Sequence, residues 1–262
     1  FRYEGEMRFF FKNHTMIGVI IQARMGSKRL PGKVLKTIDG ISLLEYQINR
    51  VKKSTKQQKI IVATSSEAKD DAIETLCKNK GILCFRGSEN DVLARYYKCA
   101  KFYKLDVVIR LTADCPLVDP IIIDKVANLF LIKNVDYCAN TAPASSSMWP
   151  DGSDVEIFSF SALERAYQDA NNPEDREHVT FYFWKYKSNA FRTAQLLNNE
   201  NWSEFRFTID YPEDYEAMIC IVKEMKARKI FGHVSEIITI LKESPDITKL
   251  NDQYYFGLGW KQ

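Results

Sequence analysis

The feature that most constrains the fold is an alternation of short apolar runs with amphipathic helical stretches along the first half of the chain. The first run, Ile17–Gln22 (IGVIIQ), is almost continuously apolar, which is typical of a strand buried on both faces of a sheet. Strands that alternate with helices of about 10–15 residues indicate βαβ units and a parallel sheet. The sequence therefore predicts an α/β protein with a mainly parallel central sheet and flanking helices.

The same pattern gives approximate bounds for the remaining elements. We expect further strands at residues 59–63, 82–85, 107–111, 155–158, 191–196 and 205–209. We expect helices at residues 43–53, 67–80, 90–102, 176–187 and 212–226, and one that starts at Asp119-Pro120 with the aspartate as N-cap. Residues 141–154 are rich in Ser, Pro and Gly and are predicted to form a surface loop.

Length and composition limit the possible classes of protein. The 262 residues fit a single domain over residues 16–262, preceded by a leader or an added segment at residues 1–15. Lys and Arg total 37 against 34 Asp and Glu, a balance that does not indicate a nucleic-acid partner. No apolar run reaches the ~18–20 residues of a membrane span. Six cysteines without a CxxC pair favour a reducing compartment, and we expect a cytoplasmic protein.

The strongest chemical signal follows the first strand. Ligands of open parallel sheets bind beyond the carboxyl ends of the strands. There the sequence has two glycines, a serine and four cations within residues 24–33: Gly26, Gly32, Ser27, Arg24, Lys28, Arg29 and Lys33. Glycine lets a backbone approach an anion, and arginine and lysine bind phosphate oxygens. The composition predicts a triphosphate-binding loop that is neither a P-loop nor a dinucleotide fingerprint. The alternative is a solvated basic turn.

A second signal is a repeated Thr-x-Asp-x-Pro pattern. It occurs at Thr112–Pro116 and again at Thr208–Pro212, each time after a strand-like apolar run. Asp114 and Asp210 would then lie at two strand ends and could share one Mg²⁺, which prefers few carboxylates together with substrate phosphates. The alternative is that each aspartate caps a turn or helix before proline, and for Asp210 taken alone this is the more common role.

With these residues in view, the chain resembles the sugar-acid cytidylyltransferases. The resemblance rests first on Ala-Arg-x-x-Ser-x-Arg-Leu-Pro-Gly-Lys-x-Leu at residues 23–35. Within that family it looks most like the group of spore-coat polysaccharide biosynthesis protein F. Further echoes occur at residues 110–120, at Asp151-Gly-x-Asp-Val-Glu156, at residues 176–180 and at residues 208–214. The likeness extends over about residues 16–260 and is more specific for nucleotidyl transfer than for the acceptor.

The resemblance implies a Rossmann-like nucleotidyltransferase fold with a small dimerisation arm, and a homodimer. It implies transfer of CMP from CTP to an acidic sugar for surface polysaccharide or glycan synthesis, with release of pyrophosphate. Carried over by position, Arg24 and Lys33 are the catalytic pair and Asp114 and Asp210 hold Mg²⁺. The implied nucleotide-binding residues are Ala23, Gly26, Ser27, Arg29, Thr64 and Ser65, with the last two near the nucleobase.

The acceptor site is expected in the second half of the chain. Arg110 could bind a carboxylate or phosphate of the acceptor, but it could equally be an interior arginine paired with a buried acid. Glu156, Glu177 and His178 are further acceptor candidates, although a histidine in such a place is more often structural. Other possible functions are transfer from another nucleoside triphosphate, a sugar-phosphate, polyol-phosphate or phosphonate acceptor, or a nucleotide-binding scaffold without turnover.

Overall fold

The computed structural model describes residues 15–186 and 188–254, and a seven-stranded sheet is the centre of this part. The described strands in chain order are β1 (Ile17–Gln22), β2 (Thr37–Ile38), β3 (Ile41–Ser42), β4 (Lys59–Ser65), β5 (Leu83–Gly87), β6 (Val107–Thr112), β7 (Tyr137–Ala139), β8 (Glu156–Ser159) and β9 (Thr193–Gln195). The sheet order is β5-β4-β1-β6-β8-β7-β9, and β2 and β3 form a separate small hairpin. Strand β8 is antiparallel to both of its neighbours, and the other pairs are parallel.

Helices cover both faces of this sheet. They are α1 (Leu43–Val51), α2 (Asp71–Asn79), α3 (Val92–Phe102), α4 (Pro120–Lys133), α5 (Phe160–Asp169), α6 (Pro173–His178), α7 (Pro212–Arg228), α8 (Val234–Glu243) and α9 (Pro245–Lys249). Alternate residues of β1 show how the faces divide: Val19 and Ile21 pack with α1, α4 and α7, whereas Ile20 packs with α3 and α5. All three are fully buried, which confirms the prediction of a doubly covered strand.

The first half of the chain follows the predicted order of strands and helices closely. The register of β1 against β4 and β6 places Gln22 beside Ala63 and Thr112, so these three strands end at one edge of the sheet. Asp119 is the N-cap of α4, as predicted, and accepts a hydrogen bond from the Ile121 amide at 2.9 Å. No helix of the described residues is long and apolar enough to cross a membrane.

The second half corrects several predictions. Residues 205–209 are not a strand. Their backbone forms an isolated bridge between Arg206 and Asp151 and one hydrogen bond from the Ile209 amide to the Asp114 carbonyl (2.8 Å), but no ladder with a strand of the sheet. The predicted helix at 176–187 is instead the short α6, followed by a π-helical turn at Tyr182–Tyr186. Strand β7 was not predicted. The predicted leader lies outside the described residues, apart from Thr15.

The segment 141–154 is also not a simple surface loop. Its outer part is a turn at Ala144–Ser146, but its second half is buried. Trp149 is 4% exposed and donates its indole N–H to the Leu196 carbonyl at 2.7 Å. The segment therefore folds back on the protein, where Asp154 contacts Cys115, three residues after β6, and Asp151 pairs with Arg206.

Candidate active site

The loop after β1 has a fixed shape. Gly32 has a φ of 67°, in the left-handed region, and its amide donates to the Met25 carbonyl at 3.2 Å, which closes the loop on itself. Asp70 holds the loop to the end of β4, because its carboxylate accepts the amides of Met25 (2.7 Å) and Ser65 (3.1 Å). The Ser27 hydroxyl accepts the Leu30 amide at 3.3 Å. The backbone of the predicted nucleotide loop is therefore preorganised.

The four cations of this loop separate into two pairs. Arg24 and Lys28 are exposed, so they are free of the core and accessible to a ligand. Lys33 and Arg29 turn inward. The Lys33 ammonium donates to Asp210 Oδ1 (2.9 Å), Asp114 Oδ2 (3.3 Å) and the Ile209 carbonyl (2.6 Å). A merely solvated basic turn would not bury one of its lysines against two carboxylates, so this alternative is wrong for Lys33.

Lys33 and the two acids stabilise each other's charges. Burial alone would lower the pKa of Lys33, but attraction from Asp114 and Asp210 outweighs it and the pKa is raised. Burial would likewise raise the pKa of Asp114, and the nearby Lys33 ammonium reverses that effect so that the pKa is lowered. Lys33 and Asp114 are therefore both charged at neutral pH.

Asp210 does not cap the helix that follows it. Its own amide (2.8 Å) and that of Tyr211 (2.9 Å) donate to Asp214, four residues further on, and this carboxylate closes the start of α7. The Asp210 carboxylate therefore binds Lys33 and Arg29 instead of the helix. Arg29 Nη2 lies 3.0 Å from Asp210 Oδ1. Capping, the more common role for such an aspartate, is wrong here.

Further carboxylates lie near Asp114 and Asp210. Arg206, 8% exposed, binds both oxygens of Asp214 (2.9 and 2.8 Å), pairs with Asp151, and lies 3.5 Å from Asp210 Oδ2. The buried Cys115 thiol contacts Asp114 Oδ1 at 3.6 Å and Asp154 Oδ2 at 3.7 Å. Burial, with the neighbouring acids adding to it, raises the pKa of Asp151 and Asp154. The cluster thus holds more acidic than basic groups.

This donor set fits a magnesium ion held by few protein ligands. In the described residues no group of three or more His, Cys, Asp or Glu side chains is arranged as a metal cage. Asp114 and Asp210 nevertheless contact one ammonium group together, so their carboxylates converge on a position suited to a cation. Mg²⁺ is commonly bound by one or two carboxylates plus substrate phosphates and water. The residues present match that mode.

The remaining residues that are predicted to bind the nucleotide lie at the same edge of the sheet. Ala23 is buried directly after β1, where its amide donates to the Ala63 carbonyl. Gly26 lies against the ion pair of Lys69 and Glu89, since a methyl group in its place would be 3.2 Å from both side chains. Thr64 and Ser65 are fully buried, and the Ser65 hydroxyl donates to Asp70.

Two of the four acceptor candidates pair directly with each other. Arg110 and Glu156 face each other on β6 and β8 and form an ion pair, and the Tyr137 hydroxyl donates to Glu156 at 2.6 Å. Arg110 is therefore an interior arginine paired with a buried acid, the second of the two roles considered for it. Glu177 is exposed at the end of α6. His178 stacks on Phe181 at 4.3 Å, and burial lowers its pKa.

Sequence reasoning did not identify several members of the site. Asp151, Asp154, Arg206 and Cys115 lie in it, and Tyr211 accepts a hydrogen bond from Arg29 at 3.3 Å. The signal available for the first two was the quoted Asp-Gly-x-Asp-Val-Glu motif. It carried no spacing that related it to Asp114, because the contact depends on how residues 141–154 fold back.

A mainly parallel sheet, with a basic glycine-containing loop after its first strand and two carboxylates facing it, has the layout of a nucleotidyltransferase. A family model described as cytidylyltransferase matches residues 18–237. The chain therefore belongs to the cytidylyltransferase family, and the expected fold is confirmed by the solved structures below.

Individual relatives support this assignment. The chain is 35% identical over 243 residues to the spore coat polysaccharide biosynthesis protein SpsF of Bacillus subtilis, covering 87% of this chain and 94% of SpsF. A cytidylyltransferase structure from Leptospira borgpetersenii is similar with a TM-score of 0.83 and 34% identity, covering 89% of this chain and 97% of that one. The structure of CMP:2-keto-3-deoxy-manno-octonic acid synthetase complexed with CTP shares the fold, with a TM-score of 0.58 and 15% identity over 80% of this chain and 99% of that one.

Proposed function

We propose that this protein transfers CMP from CTP to an acidic sugar of the 3-deoxy-2-ulosonic or nonulosonic acid type and releases pyrophosphate. The observation that carries the proposal is the position of the Lys33 ammonium between Asp114 and Asp210, at the end of a basic loop. This combination suits a catalyst of phosphoryl transfer, because the reaction is accelerated mainly by positioning and by stabilisation of charge.

The bonds exchanged define what the residues must do. An acceptor hydroxyl oxygen bonds to the α-phosphorus, the bond from that phosphorus to the bridging oxygen of the β-phosphate breaks, and the hydroxyl proton passes to solvent. Arg24, exposed on the loop, would bind the triphosphate, and Gly26 allows the chain to approach it closely. Lys33 would stabilise charge on the transferred group from its buried position. Ser27 and Arg29 hold the loop and Asp210 in place.

Mg²⁺ bound by Asp114 and Asp210 would supply positive charge at the transferred phosphoryl group and at the leaving pyrophosphate. Arg29 and Arg206 approach Asp210 from the protein side. They would hold this carboxylate in its orientation whether or not the cation is bound.

The acceptor class rests on the relatives. One neighbour in fold is a synthetase for a CMP-linked keto-deoxy sugar acid, and one sequence relative is named for spore coat polysaccharide biosynthesis. We therefore place the reaction in surface polysaccharide or glycan synthesis. The expected homodimer and the cytoplasmic location belong to the same proposal, and the six free cysteines of the structure fit a reducing compartment.

The direct test is pyrophosphate release from CTP with a panel of sugar acids, with and without Mg²⁺. The proposal predicts release that requires CTP, an acidic sugar and the metal ion together. Release from UTP or ATP, or release only with sugar phosphates, polyol phosphates or phosphonates, would replace the proposed substrates. Tight binding of CTP without release from any acceptor would favour a nucleotide-binding scaffold.

A further inference from the structure

Tyr254 follows the last described helix, α9, and packs directly on the start of α7. Its ring lies parallel to the Tyr211 ring, with the centroids 3.8 Å apart and an angle of 2° between the two planes. Its hydroxyl donates to Glu213 Oε2 at 3.2 Å. These two contacts join a residue from late in the chain to the residues that immediately follow Asp210.

A second residue of the same segment anchors it there. Asn251 is 3% exposed, and its side-chain amide donates to Asp214 Oδ1 at 2.8 Å. The other oxygen of this carboxylate accepts the backbone amides of Asp210 (2.8 Å) and Tyr211 (2.9 Å). The segment is therefore attached to the carboxylate that shapes the turn at Asp210, and Tyr254 has a fixed position beside that turn.

Tyr211 connects Tyr254 with the loop after β1. The Tyr211 hydroxyl accepts a hydrogen bond from Arg29 Nη1 at 3.3 Å, and the guanidinium carbon of Arg29 lies 4.8 Å from the centroid of the ring. Nη2 of the same arginine lies 3.0 Å from Asp210 Oδ1. A continuous line of contacts therefore runs from Tyr254 through the Tyr211 ring and the arginine to Asp210.

Arg29 needs such support because its side chain is long and 30% exposed. An arginine loses rotamer freedom when it is held in one geometry, and an ion pair between partly exposed groups contributes little by itself. A guanidinium group that is held by a carboxylate and a tyrosine hydroxyl together is oriented before the nucleotide arrives. The tyrosine can provide this orientation when its own ring is held, and Tyr254 packs on that ring.

We infer that Tyr254 is a positioning residue for the proposed reaction. Its ring fixes Tyr211, and Tyr211 holds Arg29 in the orientation in which the loop after β1 would receive the triphosphate. Tyr254 thus acts through Arg29 and has no contact of its own with the reacting atoms. This inference rests on the proposed function, because that function supplies the nucleotide that the loop binds.

Tyr215, one helical turn after Tyr211, provides a matched control. It is also a half-buried tyrosine of α7. Its hydroxyl donates to the Thr37 carbonyl at 2.5 Å, and the Lys36 ammonium lies 5.1 Å from the centroid of its ring. Replacing this tyrosine therefore disturbs the same helix through its contact with strand β2 instead of through Arg29.

The experiment measures the affinity for CTP by calorimetry, with Mg²⁺ and without an acceptor. The proteins are the wild type, Tyr254→Leu, Tyr254→Phe, Tyr211→Phe, Arg29→Met, the double variant of Arg29→Met with Tyr254→Leu, and the control Tyr215→Leu. Leucine keeps an apolar side chain at position 254 but removes the aromatic plane, whereas phenylalanine keeps the plane and removes the hydroxyl. Thermal unfolding without nucleotide shows which variants are folded.

We expect Tyr254→Leu and Arg29→Met each to weaken CTP binding by about 5-fold or more, an effect in the range of coupling between residues of one contact network. The double variant should bind CTP no more weakly than Arg29→Met, because Tyr254 acts through Arg29. A side chain that only supported the fold would instead add its effect to that of Arg29→Met.

Two conservative variants test the separate contacts. Tyr254→Phe and the control Tyr215→Leu should bind CTP within about 2-fold of the wild type. Tyr211→Phe removes the hydroxyl that Arg29 contacts and keeps the ring, so it should weaken CTP binding as Arg29→Met does. Tyr211→Phe therefore tests the line of contacts even if Tyr254→Leu fails to fold.

Other outcomes overturn the inference in distinguishable ways. Wild-type CTP affinity in Tyr254→Leu or in Tyr211→Phe would show that the stack does not hold Arg29. Additive losses in the double variant would place the effect of Tyr254 outside Arg29. An equal loss in Tyr254→Phe would assign it to the hydroxyl and Glu213, and an equal loss in Tyr215→Leu would assign it to a general disturbance of α7. All four leave the proposed function intact, whereas a wild type that does not bind CTP would reject the proposed function itself.

Discussion

The ammonium nitrogen of Lys33 lies 2.9 Å from Oδ1 of Asp210, although 177 residues separate them along the chain. Lys33 ends the loop after the first strand, and Asp210 precedes the helix α7. The same ammonium contacts Asp114 at 3.3 Å, so one lysine joins three segments of the site. In this arrangement the charge proposed to act on the substrate also fixes the two acids proposed to bind the metal ion.

Loss of Lys33 should therefore abolish most of the activity. We predict that Lys33→Ala lowers kcat with CTP by about 100-fold or more, the usual effect of removing one preorganised charge from a transition state. Lys36→Ala is the control, because Lys36 lies just beyond the loop and packs on the Tyr215 ring instead of contacting a carboxylate. Steady-state pyrophosphate release measures both variants, and near-wild-type turnover of Lys33→Ala would reject its catalytic role.

Asp210 should affect the metal requirement as well as the rate. Asp210→Asn keeps the shape of the side chain but removes a charge that Mg²⁺ would use. We predict a fall in kcat of about 100-fold or more and half-saturation at a higher Mg²⁺ concentration. A Mg²⁺ titration of activity makes the measurement, with the exposed Asp246→Asn as control. An unchanged Mg²⁺ dependence in Asp210→Asn would contradict its assignment as a ligand.

The ion pair of Arg110 and Glu156 gives a prediction about stability. Removing one partner leaves the other charge buried, whereas removing both leaves no unpaired charge. We predict that Arg110→Met lowers the free energy of unfolding by about 3 kcal/mol, and that adding Glu156→Gln restores part of this loss. Urea unfolding of the single and double variants measures the effect. If the double variant is destabilised by the sum of the two single effects, Arg110 and Glu156 do not act as a pair.

The order of elements in the first half could be predicted because β1, β4 and β6 are largely buried and therefore appear in the sequence as apolar runs. Residues 205–209 were misassigned because alternation of apolar and polar residues is also satisfied without strand pairing. Phe207 and Ile209 enter the core, while Arg206 turns to Asp214 and Asp151. Residues 141–154 were predicted to be a surface loop because Ser, Pro and Gly indicate turns. These residue types do not show whether Trp149, within the same segment, is buried.

The residues of the candidate site also fall into those that could be predicted from the sequence and those that could not. Lys33 and Asp114 could be selected because they follow β1 and β6, whose ends meet at one edge of the sheet. Asp210 was selected through the repeated Thr-x-Asp-x-Pro pattern, although the residues before it do not form a strand. Asp154 could not, because its contact with Cys115 depends on a long connection that folds back. A contact of His233, the residue before α8, could not be predicted for a related reason. Its Nδ1 lies 3.0 Å from Asp119, the cap of α4, so one carboxylate serves two helices that are 114 residues apart.

Asp70, which holds the loop after β1 to the end of β4, should make the stability of the protein depend on pH. Burial would raise the pKa of Asp70, but hydrogen bonds from Ser65 and the Met25 amide outweigh it, and the pKa lies below the ordinary value of 3.8. The ionised form is thus favoured by folding, and its contribution is present above about pH 4 and lost as the pH falls through the folded pKa. We predict that Asp70→Asn is less stable than wild type at pH 7 and that the difference shrinks toward pH 3.

Thermal unfolding of both proteins from pH 7 to pH 3 checks this prediction. Asp71→Asn is a suitable control, because Asp71 is exposed and adjacent in sequence. A difference between Asp70→Asn and wild type that stays constant over the whole range would show that the Asp70 charge does not contribute.

The measurement that tests the central claim most directly is thermal stability with CTP, UTP, ATP and GTP in turn, each with and without Mg²⁺. A ligand at 100 times its Kd adds about 2.7 kcal/mol to the free energy of unfolding. For a chain of this length that raises Tm by roughly 5–10 °C. The account predicts a shift of this size with CTP that requires Mg²⁺ and is lost in Asp210→Asn. No shift of the wild type with any nucleotide would contradict the assignment of the loop from Arg24 to Lys33 as a triphosphate site.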